Sequence, residues 1–297
     1  MKLHLVDATY ELFRAHYAPR PPVLGRDGVP MSGVSGVIEQ LLYLLREEGA
    51  THVGCATDHV IESFRNDLWA GYKSSAGMPP ELLAQFPIVE DGMRALGLVV
   101  WPMVDFEADD AIAAACGRFR DDATIDQVLV CTPDKDMAQL VDDARVVLLD
   151  RRRRIVYDEP AVVAKWGVRP PSIPDWLALV GDAADGFPGL PGWGAKSAAA
   201  VLLRYGSLEG IPAKASAWEV PSLRGGPVLA ATLREHWDEA NLFRSLARLR
   251  TEADGVEIPE RSVGDLEWRG APRATWRAFC DQWGLDRLRD RPHRWRD

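Results

Sequence analysis

Lysine is scarce in this chain. Of 35 basic residues only six are lysine (Lys2, Lys73, Lys135, Lys165, Lys196, Lys214), which leaves 29 arginines. Arginine suits bidentate phosphate contacts, but genome base composition can produce the same bias, so the bias alone assigns nothing. Cysteine is scarce too. Cys55, Cys116, Cys131 and Cys280 are scattered with no CxxC pair, which argues against a disulfide framework and against a cysteine-held zinc. No run approaches the roughly 18 apolar residues that a membrane helix needs. Asp7 interrupts the first apolar run before a signal-peptide core can form. These absences lead us to expect a soluble, cytoplasmic protein with no membrane partner. Positive charge is also short, 35 Lys+Arg against 44 Asp+Glu, a net −9. Taken alone this argues against a nucleic-acid partner, but a whole-chain sum hides where the charges sit. What remains is ordinary globular composition, 297 residues with 47% hydrophobic and 27% charged, enough for one large domain or two small ones.

The hydrophobic pattern alternates strands and helices. Leu3–Val6, His52–Thr57, Leu98–Trp101, Gln127–Thr132 and Arg145–Asp150 read as strands. Val34–Arg46 (with Gly49 after it), Leu82–Leu96 and Glu107–Phe119 read as helices. This implies an α/β fold with a parallel sheet flanked by helices. From Pro160 the character changes. Val162–Trp166 and Trp176–Val180 read as short helical pieces broken by Pro170, Pro171 and Pro174, and Val228–Leu249 as one longer helix. The stretch from Trp268 carries four Trp and eight Arg against four acids and is locally basic.

Carboxylates follow three separate strands: Asp7, Asp58 and the Asp134/Asp136 pair. The carboxyl edge of such a sheet is where ligands bind. Any one of these acids could be a helix N-cap, but their convergence on one edge favours a shared ligand. Glu107 and Asp110 at i, i+3 share one helical face, and Asp182 and Asp185 are again at i, i+3. So many acids at one edge repel unless cations neutralise them. Oxygen donors without His or Cys favour Mg2+ or Mn2+ over zinc. Two such ions about 3.5–4 Å apart are the usual device for in-line attack on a phosphodiester.

Leu190-Pro-Gly-Trp-Gly-Ala-Lys-Ser197 is the strongest local motif. Gly192 and Gly194 allow a tight turn with bare N–H groups. The helix expected over Ala195–Tyr205 points its positive end at the same spot, and Lys196 adds a charge. This is a phosphate-backbone grip without base readout. The Walker spacing Gly-x4-Gly-Lys is absent. A third segment, Phe64 to Lys73, offers Arg65, Tyr72 and Lys73 near the Asp58 strand end.

Asp7, Phe64-Arg65, Tyr72-Lys73, Glu107-Ala-Asp-Asp110, Thr132-Pro-Asp-Lys-Asp136 and Gly181-Asp-x-x-Asp185 with Pro-Gly-x-Gly-x-Lys-Ser stand in the order found in the bacterial 5′-nucleases. Over residues 2–250 the chain resembles that family: the 5′–3′ exonuclease domain of DNA polymerase I and its stand-alone flap-endonuclease relatives. The resemblance implies a PIN-like core, residues 1–158, with a helical arch at about 60–80. It implies a helix–three-turn–helix DNA-binding region at 159–250, which leaves a Trp/Arg-rich C-terminal extension at 251–297. It further implies a structure-specific nuclease that hydrolyses flapped, branched or nicked DNA in replication and repair. Asp7, Asp58, Glu107 and Asp109 resemble a first metal site, and Asp134, Asp136 and Asp185 a second, with Asp110 and Asp182 in support. Lys73 and Arg65 resemble the cations on the scissile phosphate, beside Tyr72. Tyr10 or Phe13 would stack on the terminal base, next to Arg14. Gly192, Gly194, Lys196 and Ser197 resemble the duplex-gripping hairpin, where a K+ ion often sits. Two positions depart from the pattern: Ala76 stands where the arch has Arg, and Gly186 where Asn is common. A PIN-type ribonuclease and a non-catalytic branch-binding protein are the alternative readings. Setting the nine assigned acids aside leaves 35, equal to the number of bases, so the negative sum describes one cluster on a balanced chain.

Overall fold

The computed structural model describes residues 1–221 and 223–297. They form two compact units: residues 1–61, 75–132 and 250–297, and residues 62–74 and 133–249. Among them no helix is long and apolar enough to cross a membrane.

The first unit is built on four parallel strands, β1 (Lys2–Asp7), β2 (His52–Asp58), β3 (Val99–Met103) and β4 (Gln127–Cys131), in the order β3-β2-β1-β4. Helices Ala8–His16, Ser32–Arg46, Gln85–Ala95 and Ala108–Phe119 accompany them. Leu3, Leu5, Val6, Val53, Val128 and Val130 are all inaccessible. Burial on both faces explains why these strands read as continuous apolar runs rather than alternating ones. The register sets Asp7 beside Ala56, and Asp58 beside Met103. Both acids therefore end their strands at one carboxyl edge. The helix expected over 82–96 is a short turn, Pro80–Leu83, followed by Gln85–Ala95.

Residues 250–297 belong to the core of this unit. The Trp268 backbone N–H donates to the Thr51 carbonyl at 2.8 Å and its indole to the Leu96 carbonyl at 2.9 Å. Trp276 is fully buried, with its indole N–H 3.1 Å from the Arg289 carbonyl. Trp268 and Trp276 thus fill the interior, Trp283 and Trp295 are half-buried, and Arg269, Arg287, Arg294 and Arg296 lie on the wet surface.

The second unit contains β5 (Val146–Asp150) paired antiparallel with β6 (Ile155–Tyr157), a strand the sequence reading lacks. β6 is three residues long, with Ile155 and Val156 exposed, so no buried run announced it. Its helices are Glu159–Trp166, Ile173–Val180, Ala195–Tyr205, Gly226–Glu235 and Trp237–Ala247. Pro174 lies in the first turn of its helix, where a missing N–H is harmless, and does not break it. The single helix expected over 228–249 is two, divided at His236 (φ −106°, ψ 31°). The segment expected to form the arch holds one five-residue helix, Phe64–Leu68, and turns.

Candidate metal centre and nucleic-acid hairpin

In the first unit the expected acids are also structural caps. Asp7 Oδ1 accepts the Tyr10 N–H at 2.8 Å, starting helix Ala8–His16, and Oδ2 accepts the Thr132 hydroxyl at 3.0 Å. Asp58 Oδ1 accepts the Ala108 N–H at 2.6 Å, at the mouth of helix Ala108–Phe119. Glu107 is the N-cap of that helix, and its N–H donates to Asp110 Oδ2 at 3.1 Å. Asp110 Oδ1 accepts the Arg250 N–H at 2.8 Å. Asp110 thus has a backbone donor on each oxygen and is fully buried, which suits a supporting acid. Asp7, Asp58 and Glu107 are buried and Asp109 is half-buried. Such caps are each worth about 1 kcal/mol, so Asp7 and Asp58 have a structural task at these helix starts whatever else they do.

In the second unit Asp136, Asp182 and Asp185 bring one carboxylate oxygen each within 4.8 Å of one another. Asp182, expected in support, is therefore a full member. Asp134 lies exposed beside them, its Oδ1 accepting the Asp136 N–H at 3.1 Å. Asp182 Oδ1 accepts the Ala184 N–H at 3.0 Å, while its Oδ2 takes the Lys135 ammonium. Asp136 Oδ1 is buried without a hydrogen-bond partner; Lys135 Nζ stands 3.8 Å away. Burial first, then the Asp134 and Asp185 charges, hold the Asp136 carboxyl well above the usual aspartate range. Burial would lower the Lys135 ammonium, but the Asp136 and Asp182 carboxylates outweigh it and raise it. A buried orphan oxygen in an all-oxygen donor set fits a hard divalent cation. Lys135 is not among the expected site residues, although its place between Asp134 and Asp136 sets a cation between two acids in the sequence itself.

Lys73 is held against the same cluster. Its N–H donates to the Asp185 carbonyl at 2.9 Å and its ammonium lies 3.3 Å from Asp185 Oδ1. The Trp69 indole donates to the Gly186 carbonyl at 3.0 Å, and the Asn66 amide to the Lys73 carbonyl at 3.0 Å. Tyr72 is buried, with the Lys73 ammonium 5.6 Å from its ring centre. Arg65 does not stand out as a cation for a phosphate. It is 2% exposed and donates to the Leu246 carbonyl at 2.8 Å and the Arg248 carbonyl at 3.1 Å. Those carbonyls lie about 180 residues away in the chain, so no local pattern could reveal them.

The hairpin presents Gly192, Gly194 and Lys196 to solvent. Gly192 has φ +80°, a turn geometry that glycine adopts without strain. The Ser197 hydroxyl accepts the Gly194 N–H at 3.0 Å and donates to the Gly194 carbonyl at 3.0 Å, fixing the start of helix Ala195–Tyr205. Trp193, between the two glycines, is buried against Trp218 at 6.1 Å and anchors the turn. In the first unit, Tyr10, Phe13 and Arg14 line one half-buried stretch of helix Ala8–His16. Phe13 packs edge-on against Phe86 at 6.2 Å, and Arg14 pairs with the buried Glu11.

Two family models match the chain. One, described as 5′-3′ exonuclease, N-terminal resolvase-like domain, covers residues 2–167; the other, 5′-3′ exonuclease, C-terminal SAM fold, covers 168–271. DNA polymerase I of Rhizobium leguminosarum is 36% identical over 258 residues, spanning 84% of this chain and 24% of that protein. The chain thus spans about a quarter of the length of that relative. A 5′-3′ exonuclease of Aquifex aeolicus is 31% identical over 210 residues, 70% of this chain and 71% of that protein. Among solved structures, the T5 5′-exonuclease described with bound zinc superposes with a TM-score of 0.65 at 17% identity, over 83% of this chain and 89% of that one. The catalytic core of Rad2 in complex with DNA substrate gives 0.60 at 15%, over 95% and 86%. At these identities the structures speak to the fold: mixed α/β, with a parallel sheet and a helical C-terminal part.

Proposed function

We propose that this chain, which belongs to the 5′-3′ exonuclease family, hydrolyses DNA phosphodiesters at 5′ flaps, branches and ends with Mg2+ or Mn2+ held by its acids. The observation that carries this reading is the trio Asp136, Asp182 and Asp185, within 4.8 Å and with a buried orphan oxygen. We assign Asp7, Asp58, Glu107 and Asp109 to one ion. Asp136, Asp182 and Asp185, with Asp134 at the rim, belong to another. When bound, such ions polarise a water and neutralise charge on the phosphodiester. Solved relatives described with DNA and metal ions support the same substrate and cofactor class.

The chain's own groups do the rest. Lys73, pinned beside Asp185, supplies the cation for the scissile phosphate, with Tyr72 packed behind it. Arg65 has a structural task, bracing the C-terminal end of helix Trp237–Ala247. The bare N–H groups of Gly192 and Gly194, with Lys196, grip the duplex backbone without reading bases, and carbonyls of the turn offer ligands for K+. Tyr10 and Phe13 offer an aromatic surface for a terminal base, with Arg14 alongside. We place this work in cytoplasmic DNA replication and repair.

The test is a labelled 5′-flap duplex with Mg2+ or Mn2+. Cleavage that EDTA and Asp136→Asn both abolish is the expected result. Binding without cutting would make the chain a branch-binding protein. Preferential cutting of single-stranded RNA would make it a ribonuclease.

A further inference from the structure

We propose that Lys135 is a built-in counter-ion of the Asp136–Asp182–Asp185 trio, which a divalent cation must expel in order to bind, so that this lysine sets the affinity for the ion. The inference rests on the function proposed above and deepens it.

The oxygens in play are few. Asp182 spends Oδ1 on the Ala184 N–H at 3.0 Å. Its Oδ2 is then the oxygen left for a cation, and Lys135 holds it. On Asp136 the oxygen without a hydrogen-bond partner is Oδ1, and the same ammonium stands 3.8 Å from it. One side chain therefore reaches two of the three oxygens that an ion at this trio would use, those of Asp136 and Asp182. It satisfies one by hydrogen bonding and leaves the other short. A divalent ion on these oxygens would lie within a few ångströms of the ammonium, and like charges at that range repel strongly where water is scarce. The two cannot share the site.

Lys135 is also able to leave. Its side chain is 30% exposed, so the ammonium has a path to solvent along its flexible stem. Lys73 meets the third acid, Asp185, at 3.3 Å. Two ammonium groups thus offset three close carboxylates in the ion-free protein. Lys135 is the one lodged between two of them. The arrangement is an exchange: a monocation keeps the acids from repelling one another until an ion of higher charge replaces it.

Mn2+ binding without DNA, read from the electron paramagnetic resonance of the free ion, tests this. Lys135→Met should bind Mn2+ about tenfold more tightly than the parent chain, while its melting temperature without metal falls, since a nearby countercharge has been removed. Lys135→Arg, which keeps the charge, should stay near the parent affinity. Equal or weaker Mn2+ binding by Lys135→Met would overturn the inference. A second measurement needs no variant. Lysine acetylation of the parent chain, mapped by mass spectrometry, should be several-fold faster at Lys135 with saturating Mn2+ than without it, with Lys165 and Lys214 as unchanging references. An unchanged or slower Lys135 rate would also overturn it. If the parent chain binds no Mn2+ that Asp136→Asn removes, the proposed function fails instead, and the two failures are distinct.

Discussion

Gly186 lies so close to Gly71 that a Cβ on Gly186 would stand 2.0 Å from the Gly71 carbonyl oxygen. Gly186 also has φ +84°, a region costly for side-chain-bearing residues. The departure from Asn at this position therefore has a steric reason: two backbones meet there with no room for a side chain. The contact presses the Trp69–Lys73 segment against the loop that carries Asp185.

Gly186→Ala should accordingly destabilise the chain by about 1–3 kcal/mol, read by urea denaturation. It should also lower kcat more than it raises KM, because Lys73 loses its register beside Asp185. A variant with parent stability and parent kcat would mean that the two glycines touch without consequence.

Arg65→Ala should lose roughly 2–4 kcal/mol, because it leaves the buried Leu246 carbonyl and the part-buried Arg248 carbonyl without their charged donor. Lys in its place cannot reproduce the fork and should recover only part. If Arg65→Ala kept its melting temperature and lost only cleavage, a phosphate-binding role would be right and the bracing role wrong.

The Asp136 carboxyl sets a pH dependence. Burial, with the Asp134 and Asp185 charges, raises it above the ordinary 3.8. A raised folded-state value means that the stability it contributes is complete below the unfolded value and is lost as pH rises through the folded one. Divalent cations replace the lost proton. The rise in melting temperature on adding Mg2+ should thus be larger at pH 8 than at pH 5.5. Asp136→Asn should melt higher than the parent chain at pH 8 without metal and respond little to Mg2+. A Mg2+ response that is the same at both pH values would remove Asp136 from the ion site.

Lys196→Ala should weaken binding to duplex DNA and reduce the slope of log affinity against log salt by about one unit. The side chain is exposed at the start of its helix and its loss disturbs no packing. An unchanged slope, measured by anisotropy titration across salt concentrations, would mean that Lys196 touches no phosphate.

The acidic edge was legible in the sequence because apolar runs ending in Asp7 and Asp58 can only be buried strands with their carboxylates at the rim. Helix Ala195–Tyr205 was legible because glycine stops lie on both sides of it. What stayed hidden depended on distant partners. Nothing near Arg65 announces the carbonyls of Leu246 and Arg248. Nothing near Trp268 and Trp276 announces the acceptors of their indoles, the Leu96 and Arg289 carbonyls. The division at His236 involves no proline or glycine, so helical periodicity alone runs straight through it.

The double employment of the carboxylates has an evolutionary consequence. Asp7, Asp58, Asp134 and Asp182 each give one oxygen to a backbone N–H. A lineage that no longer needed the chemistry could not discard these side chains freely, because each loss would also loosen a helix or a turn. Selection for folding alone would preserve many of these carboxylates, so their survival in a related sequence is no proof that it still binds metal.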